Sequence, residues 1–143
     1  MTNTSGKQTR VLIIAAVALL VVLMGGLTWV FVSSPTATTA TAAQSLTPLE
    51  YQELFADGSA HMLIDVRTPE EFDSGHIQDA VNIPVESLPA HLNDVPMDIP
   101  VVVYCRSGNR SATAAQILVE GGFQPVYDLG GINDWVAQGF PIQ

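Results

Sequence analysis

Hydrophobic and polar positions fall into three regimes along the chain. Val11 to Val32 is an almost wholly apolar run without a charge. At about 1.5 Å per residue, a helix of that length reaches across the roughly 30 Å of a bilayer core. Ser33 to Ser45 is rich in Thr, Ala and Ser, uncharged and without period, the composition of a flexible linker. From Leu46 on, short apolar runs alternate with capped, helix-like segments.

The alternation predicts specific elements. Thr47-Pro48-Leu49-Glu50 is a capping box with proline at the first helical position, opening a helix to about Ala56. Thr68-Pro69-Glu70-Glu71 repeats the signature and opens a second helix near Phe72. Strands are predicted at His61 to Val66, Ala80 to Ile83, Val101 to Tyr104 and Pro125 to Tyr127. Val85 to Asn93 is weakly helical and interrupted by Pro89. Ser111 to Glu120 sets Ala112, Ala115, Ile117 and Leu118 on one side and ends at Gly121-Gly122. Gly130-Gly131 reads as a turn into a final helix around Ile132 to Ala137.

Strands alternating with helices imply an α/β fold: a small doubly wound parallel sheet flanked by helices, preceded by one N-terminal transmembrane helix. The expected organisation is a cytoplasmic N-terminus (1–10), an anchor (11–32), a linker (33–45) and a folded domain (46–143). Lys7 and Arg10 precede the apolar run, and the next basic residue is Arg67. That asymmetry predicts an extracytoplasmic domain, periplasmic or at the cell surface. A cleaved signal peptide with Ala40-Thr41-Ala42 as its processing site is the alternative, and it also exports the domain.

Charge narrows the partners. After the apolar run, three arginines stand against 14 acidic residues, a formal charge of −11. Nucleic acid and anionic lipid surfaces are poor partners for such a domain. The histidines His61, His76 and His91 are well separated and there is one cysteine, so no metal-ligand spacing appears and no cofactor is expected. One cysteine also excludes an intrachain disulfide.

That cysteine, Cys105, ends the run Val101-Val102-Val103-Tyr104 and is followed by Arg106-Ser107-Gly108-Asn109-Arg110. A lone cysteine is ordinarily a small buried hydrophobe. Here it sits where a strand's carboxyl end meets a helix N-terminus, beside two of the domain's three arginines. Helix dipole, guanidinium groups and successive backbone N–H groups all stabilise a thiolate and cradle an anion. Gly108 permits the positive φ that an inward-turned loop needs, and Arg110 offers paired donors to an oxyanion. Such a loop suits attack on a sulfane sulfur with an anionic leaving group, forming a persulfide.

The loop Cys105-Arg106-Ser107-Gly108-Asn109-Arg110 resembles the active loop of rhodanese-type sulfurtransferases. Leu63-Ile64-Asp65-Val66-Arg67, Glu70-Glu71-Phe72, Gly75-His76-Ile77, Asn82-Ile83-Pro84 and Leu129-Gly130-Gly131-Ile132-Asn133-Asp134-Trp135 match the family's other signature segments in order. Gln78-Asp79 departs from the family's usual Pro-Gly. The resemblance implies a catalytic Cys105, a donor-binding loop of Arg106, Ser107, Gly108, Asn109 and Arg110, and supporting roles for Asp65 and Arg67. It implies sulfur transfer from thiosulfate or a similar small anionic donor to a thiol, cyanide or protein acceptor. The alternatives are a non-catalytic interaction module of the same family, and a phosphatase or arsenate reductase. The related phosphatases carry one more residue between cysteine and arginine. His76 is expected to be structural and Trp135 a core anchor.

Overall fold

The computed structural model describes residues 42–143. The expected segments 1–10 and 11–32, and most of the linker, lie outside these residues. No helix among the described residues is long and apolar enough to cross a membrane.

The described strands form one all-parallel sheet. β1 (Gln44–Ser45), β2 (Met62–Asp65), β3 (Val81–Asn82), β4 (Val101–Cys105) and β5 (Val126–Gly131) lie in the order β1-β5-β4-β2-β3. β4 is central because its five residues are all buried and mostly β-branched, which suits a strand covered on both faces. Its side chains alternate between two cores. Val101, Val103 and Cys105 join Ile64, Val66 and Val126 on one face. Val102 and Tyr104 join Leu63, Tyr51 and Trp135 on the other.

The helices follow their caps. α1 (Pro48–Phe55) and α2 (Pro69–Asp73) both start with proline after a threonine that completes a capping box. α3 (Asn109–Glu120) packs Ala114, Ala115 and Leu118 into the first core. α4 (Ile132–Ala137) brings Trp135 into the second. The predicted weak helix after β3 is instead two 3-10 turns, Leu88–Ala90 and Leu92–Asp94, because Pro89 cannot donate to a continuing α-helix.

Three expectations are corrected. Gln44–Ser45, placed in the linker, is an edge strand paired with Tyr127–Asp128; two polar residues carry no strand signal of their own. The buried face of α3 runs through Ser111, Ala114, Ala115 and Leu118, the i, i+3, i+4, i+7 stripe, and leaves Ala112 exposed. Gly130-Gly131 is not a turn but the end of β5. A register irregularity opposite Val103/Tyr104 sets Gly130 against Tyr104 and Gly131 against Cys105.

A buried ion pair fixes the end of β2. Asp65 is 0% and Arg67 5% exposed. The Arg67 Nη2 donates to Asp65 Oδ2 at 2.6 Å and to the Gly75 carbonyl at 2.8 Å. Asn82 Nδ2 donates to the backbone carbonyls of both Asp65 and Arg67, each at 2.9 Å, so β3 is tied to the same corner. The Arg67 guanidinium also lies 5.8 Å from the Tyr104 ring centroid. Removing one partner strands the other charge in the interior. Asp65→Ala is therefore expected to lower unfolding free energy by about 3–5 kcal/mol, read as a drop in the urea midpoint. A loss below about 1 kcal/mol, the range of exposed pairs, contradicts this reading.

Candidate active site

The central strand delivers Cys105 to the carboxyl edge of the sheet, where parallel α/β sheets place their sites. The chain then turns at once into α3. Gly108 is the N-cap with φ 102°, a left-handed conformation costly for any residue with a Cβ. This turn aims the Gly108 N–H at the Cys105 Sγ, 3.1 Å away. One wall of the sulfur is apolar core and the other is backbone amide.

Cys105 is 1% exposed, and burial by itself pushes a thiol up. That burial effect is the largest single influence on its titration. It is outweighed by hydrogen bonds from the amides of Ser111, Ser107 and Gly108, so the thiol pKa is lowered. Asn109 is the first residue of α3, with its side chain exposed and its carbonyl accepting from Thr113 at 3.3 Å.

No histidine serves as a base to Cys105 among the described residues. His61 bonds Tyr51, His76 bonds the Phe72 carbonyl, and His91 bonds Asp94. His76 is stacked on Phe72, and its backbone exchanges hydrogen bonds with Gln143, the structural role expected of it.

The arginines are used differently from one another. Arg67 is inside the Asp65 pair. Arg110 presents its fork to Glu71, with Nη1 to Oε2 at 2.7 Å and Nη2 to Oε1 at 2.9 Å. The paired donors expected to face an oxyanion thus face a carboxylate of the protein. Arg106 is exposed and carries no ion pair among the described residues.

Three residues beyond the predicted set shape the site. Glu71 accepts from Arg110 and also caps α2 through the Thr68 N–H at 3.1 Å. The Arg110 hydrogen bonds hold its carboxyl well below the usual range, at about 2. Ser111 is fully buried, its hydroxyl 2.9 Å from the Gly108 carbonyl and 3.2 Å from the Gly130 carbonyl, which joins the loop to β5. Gly131 allows the closest backbone approach: a Cβ there would stand 2.8 Å from both the Arg106 carbonyl oxygen and the Ser107 Cα. The sequence marked Glu71 as a cap and as part of the Glu70-Glu71-Phe72 segment, without pointing to Arg110. Nothing local in Gly130-Gly131 pointed across the sheet.

With this geometry in view, comparison with known proteins is specific. A family model described as Rhodanese-like domain matches residues 47–138. The chain belongs to the rhodanese-like family. It is 42% identical over 88 residues to a protein named sulfurtransferase from Allochromatium vinosum, covering 61% of this chain and 82% of that one. It is 38% identical over 96 residues to a thiosulfate sulfurtransferase from Pseudomonas syringae, covering 66% of this chain and 89% of that one. Among solved structures, the human single-domain sulfurtransferase superposes with a TM-score of 0.62 at 27% identity, over 67% of this chain and 97% of that one. A rhodanese-related protein from Thermoplasma volcanium gives 0.62 at 32% identity, over 70% and 97%. The rhodanese-like parallel sheet expected from the sequence is the fold found.

The Gly131 contact yields a test. In Gly131→Ala the new methyl meets backbone that cannot rotate away, so the Arg106–Ser107 segment must shift and the amides lose their aim at sulfur. Iodoacetamide alkylation of Cys105 at pH 7 is expected to slow severalfold, with the fold retained by circular dichroism. An unchanged alkylation rate would show that this approach does not set the loop.

Proposed function

We propose that the domain is a sulfurtransferase working through a persulfide on Cys105. The observation carrying this reading is the Gly108 N–H directed at Sγ at 3.1 Å in a loop with no histidine base. A thiolate held by amides needs no proton acceptor to attack. The Cys105 thiolate displaces sulfite from thiosulfate: the S–S bond of the donor breaks, a Cys105 S–S bond forms, and sulfite leaves with the bonding pair. The total charge of three negatives is conserved. An acceptor thiolate or cyanide then attacks the outer sulfur, and the Cys105 thiolate departs with its electron pair. The amides that favour the thiolate also favour its persulfide anion.

Arg106 is the cation left to draw an anionic donor toward an acidic domain, since Arg67 and Arg110 already face carboxylates. Asp65 and Arg67 act through the scaffold, fixing the β2 end beside the loop. In this reading the domain is extracytoplasmic on the 11–32 anchor, supported by the basic residues Lys7 and Arg10 before the apolar run.

Intact-mass analysis after incubation with thiosulfate tests the chemistry. Wild type is expected to gain the mass of one sulfur and to lose it on adding cyanide, whereas Cys105→Ser gains none. Arg106→Ala is expected to raise KM for thiosulfate severalfold with a smaller change in kcat. A wild-type protein that stays unmodified points to the non-catalytic module, and an adduct on Cys105→Ser excludes this mechanism.

A further inference from the structure

The Glu71–Arg110 pair has a geometry that capping alone does not require. A capping box needs one glutamate oxygen to accept the Thr68 N–H. Here the same oxygen also takes Arg110 Nη1, and the second oxygen takes Nη2, so α2 is clamped to the first turn of α3 by a fork-to-fork contact. The pair is about three-quarters shielded on both sides, at 29% and 27% side-chain exposure. Arg110 stands in the first turn of α3, two residues after Gly108, whose N–H meets the Cys105 sulfur. Its charged form is favoured first by the Glu71 hydrogen bonds and, more weakly, by charge on Cys105.

We infer that Glu71 is a positioning residue for the reaction: by holding Arg110 it offsets that arginine's charge at the Cys105 sulfur and so sets the basicity of the thiolate. The inference rests on Cys105 being the sulfur acceptor. The other charged groups toward this corner do not do the same work. Arg67 is neutralised by Asp65, and Glu70 is exposed to solvent at the start of α2. Glu86, after β3, bears on Arg110 only through space, without a hydrogen bond among the described residues. From β5, Gly130 and Gly131 bring no charge. The loop's own Arg106 is exposed.

The consequence is a trade between affinity and nucleophilicity. A bare Arg110 beside the sulfur makes the thiolate easier to form and a weaker nucleophile, because thiolate reactivity falls as its pKa falls. It also binds an anionic donor more tightly. Glu71 keeps the loop closer to neutral, so that the amides, rather than net charge, ionise the thiol.

Glu71→Gln separates charge from capping, since glutamine can still complete the box. Cys105 is the only thiol, so alkylation rate against pH on the full-length chain reports it alone. The midpoint in Glu71→Gln is expected to fall by about half to one pH unit relative to wild type. Above both midpoints, the saturating rate of sulfur acceptance should fall about two- to threefold, while the thiosulfate KM also falls. Glu71→Asp, which keeps the charge, is expected to hold the wild-type midpoint. Thr68→Ala, which weakens the same cap without touching the charge, should lower thermal stability and leave the midpoint in place. An unchanged or raised midpoint in Glu71→Gln overturns the inference, as does an equal shift in Thr68→Ala or Glu71→Asp. The alkylation measurement needs no sulfur donor. A failure of persulfide formation in wild type therefore counts against the proposed function and is read separately.

Discussion

The structure depends on one constraint: a sulfur atom at the end of the most buried strand must be met by backbone N–H groups rather than by more hydrocarbon. Burial alone raises a thiol's pKa and would make Cys105 an inert core residue. The loop reverses this because Gly108 takes a positive φ and turns its N–H onto Sγ. β5 comes close to the same loop at Arg106 and Ser107, which requires Gly131 to lack a Cβ. Close approach in turn leaves room for the Ser111 hydroxyl to reach carbonyls on both sides. Strand, loop, helix and neighbouring strand end therefore form one unit around one atom.

Electrostatics are arranged with the same economy. A domain with three arginines and fourteen acids has little positive charge to place. One arginine closes the β2 corner, one clamps α2 to α3, and one is left exposed at the loop. The thiolate is stabilised mainly by neutral dipoles, which do not over-bind a leaving anion as a bare cation would. The two capping boxes have matching sequences and different outcomes. Glu50 serves only its own helix, and Glu71 serves its helix and the site.

Much of this was legible in the chain. Both capping boxes, the central strand and the helix after Cys105 came from local chemistry, because proline, threonine and β-branched runs constrain their own backbones. The positive φ at Gly108 followed from the need for an inward loop. Contacts between elements distant in sequence were not legible. Glu71 and Arg110 are 39 residues apart, and no local pattern shows that they share a fork. Gly131 looked like half of a turn because its role is set by Arg106 and Ser107 across the sheet. Gln44–Ser45 became a strand only because β5 offered it an edge. Ala112 was misplaced by one step of helical phase, since the buried stripe starts from Ser111, whose polarity hid it.

The central claim is that amides ionise a buried thiol. Ultraviolet thiolate absorbance across pH, with Cys105→Ser subtracted, tests it most directly. The account predicts a single transition with a midpoint below the ~8.5 of an unperturbed cysteine. A midpoint at or above that value would mean that burial prevails over the loop, and the account would be contradicted.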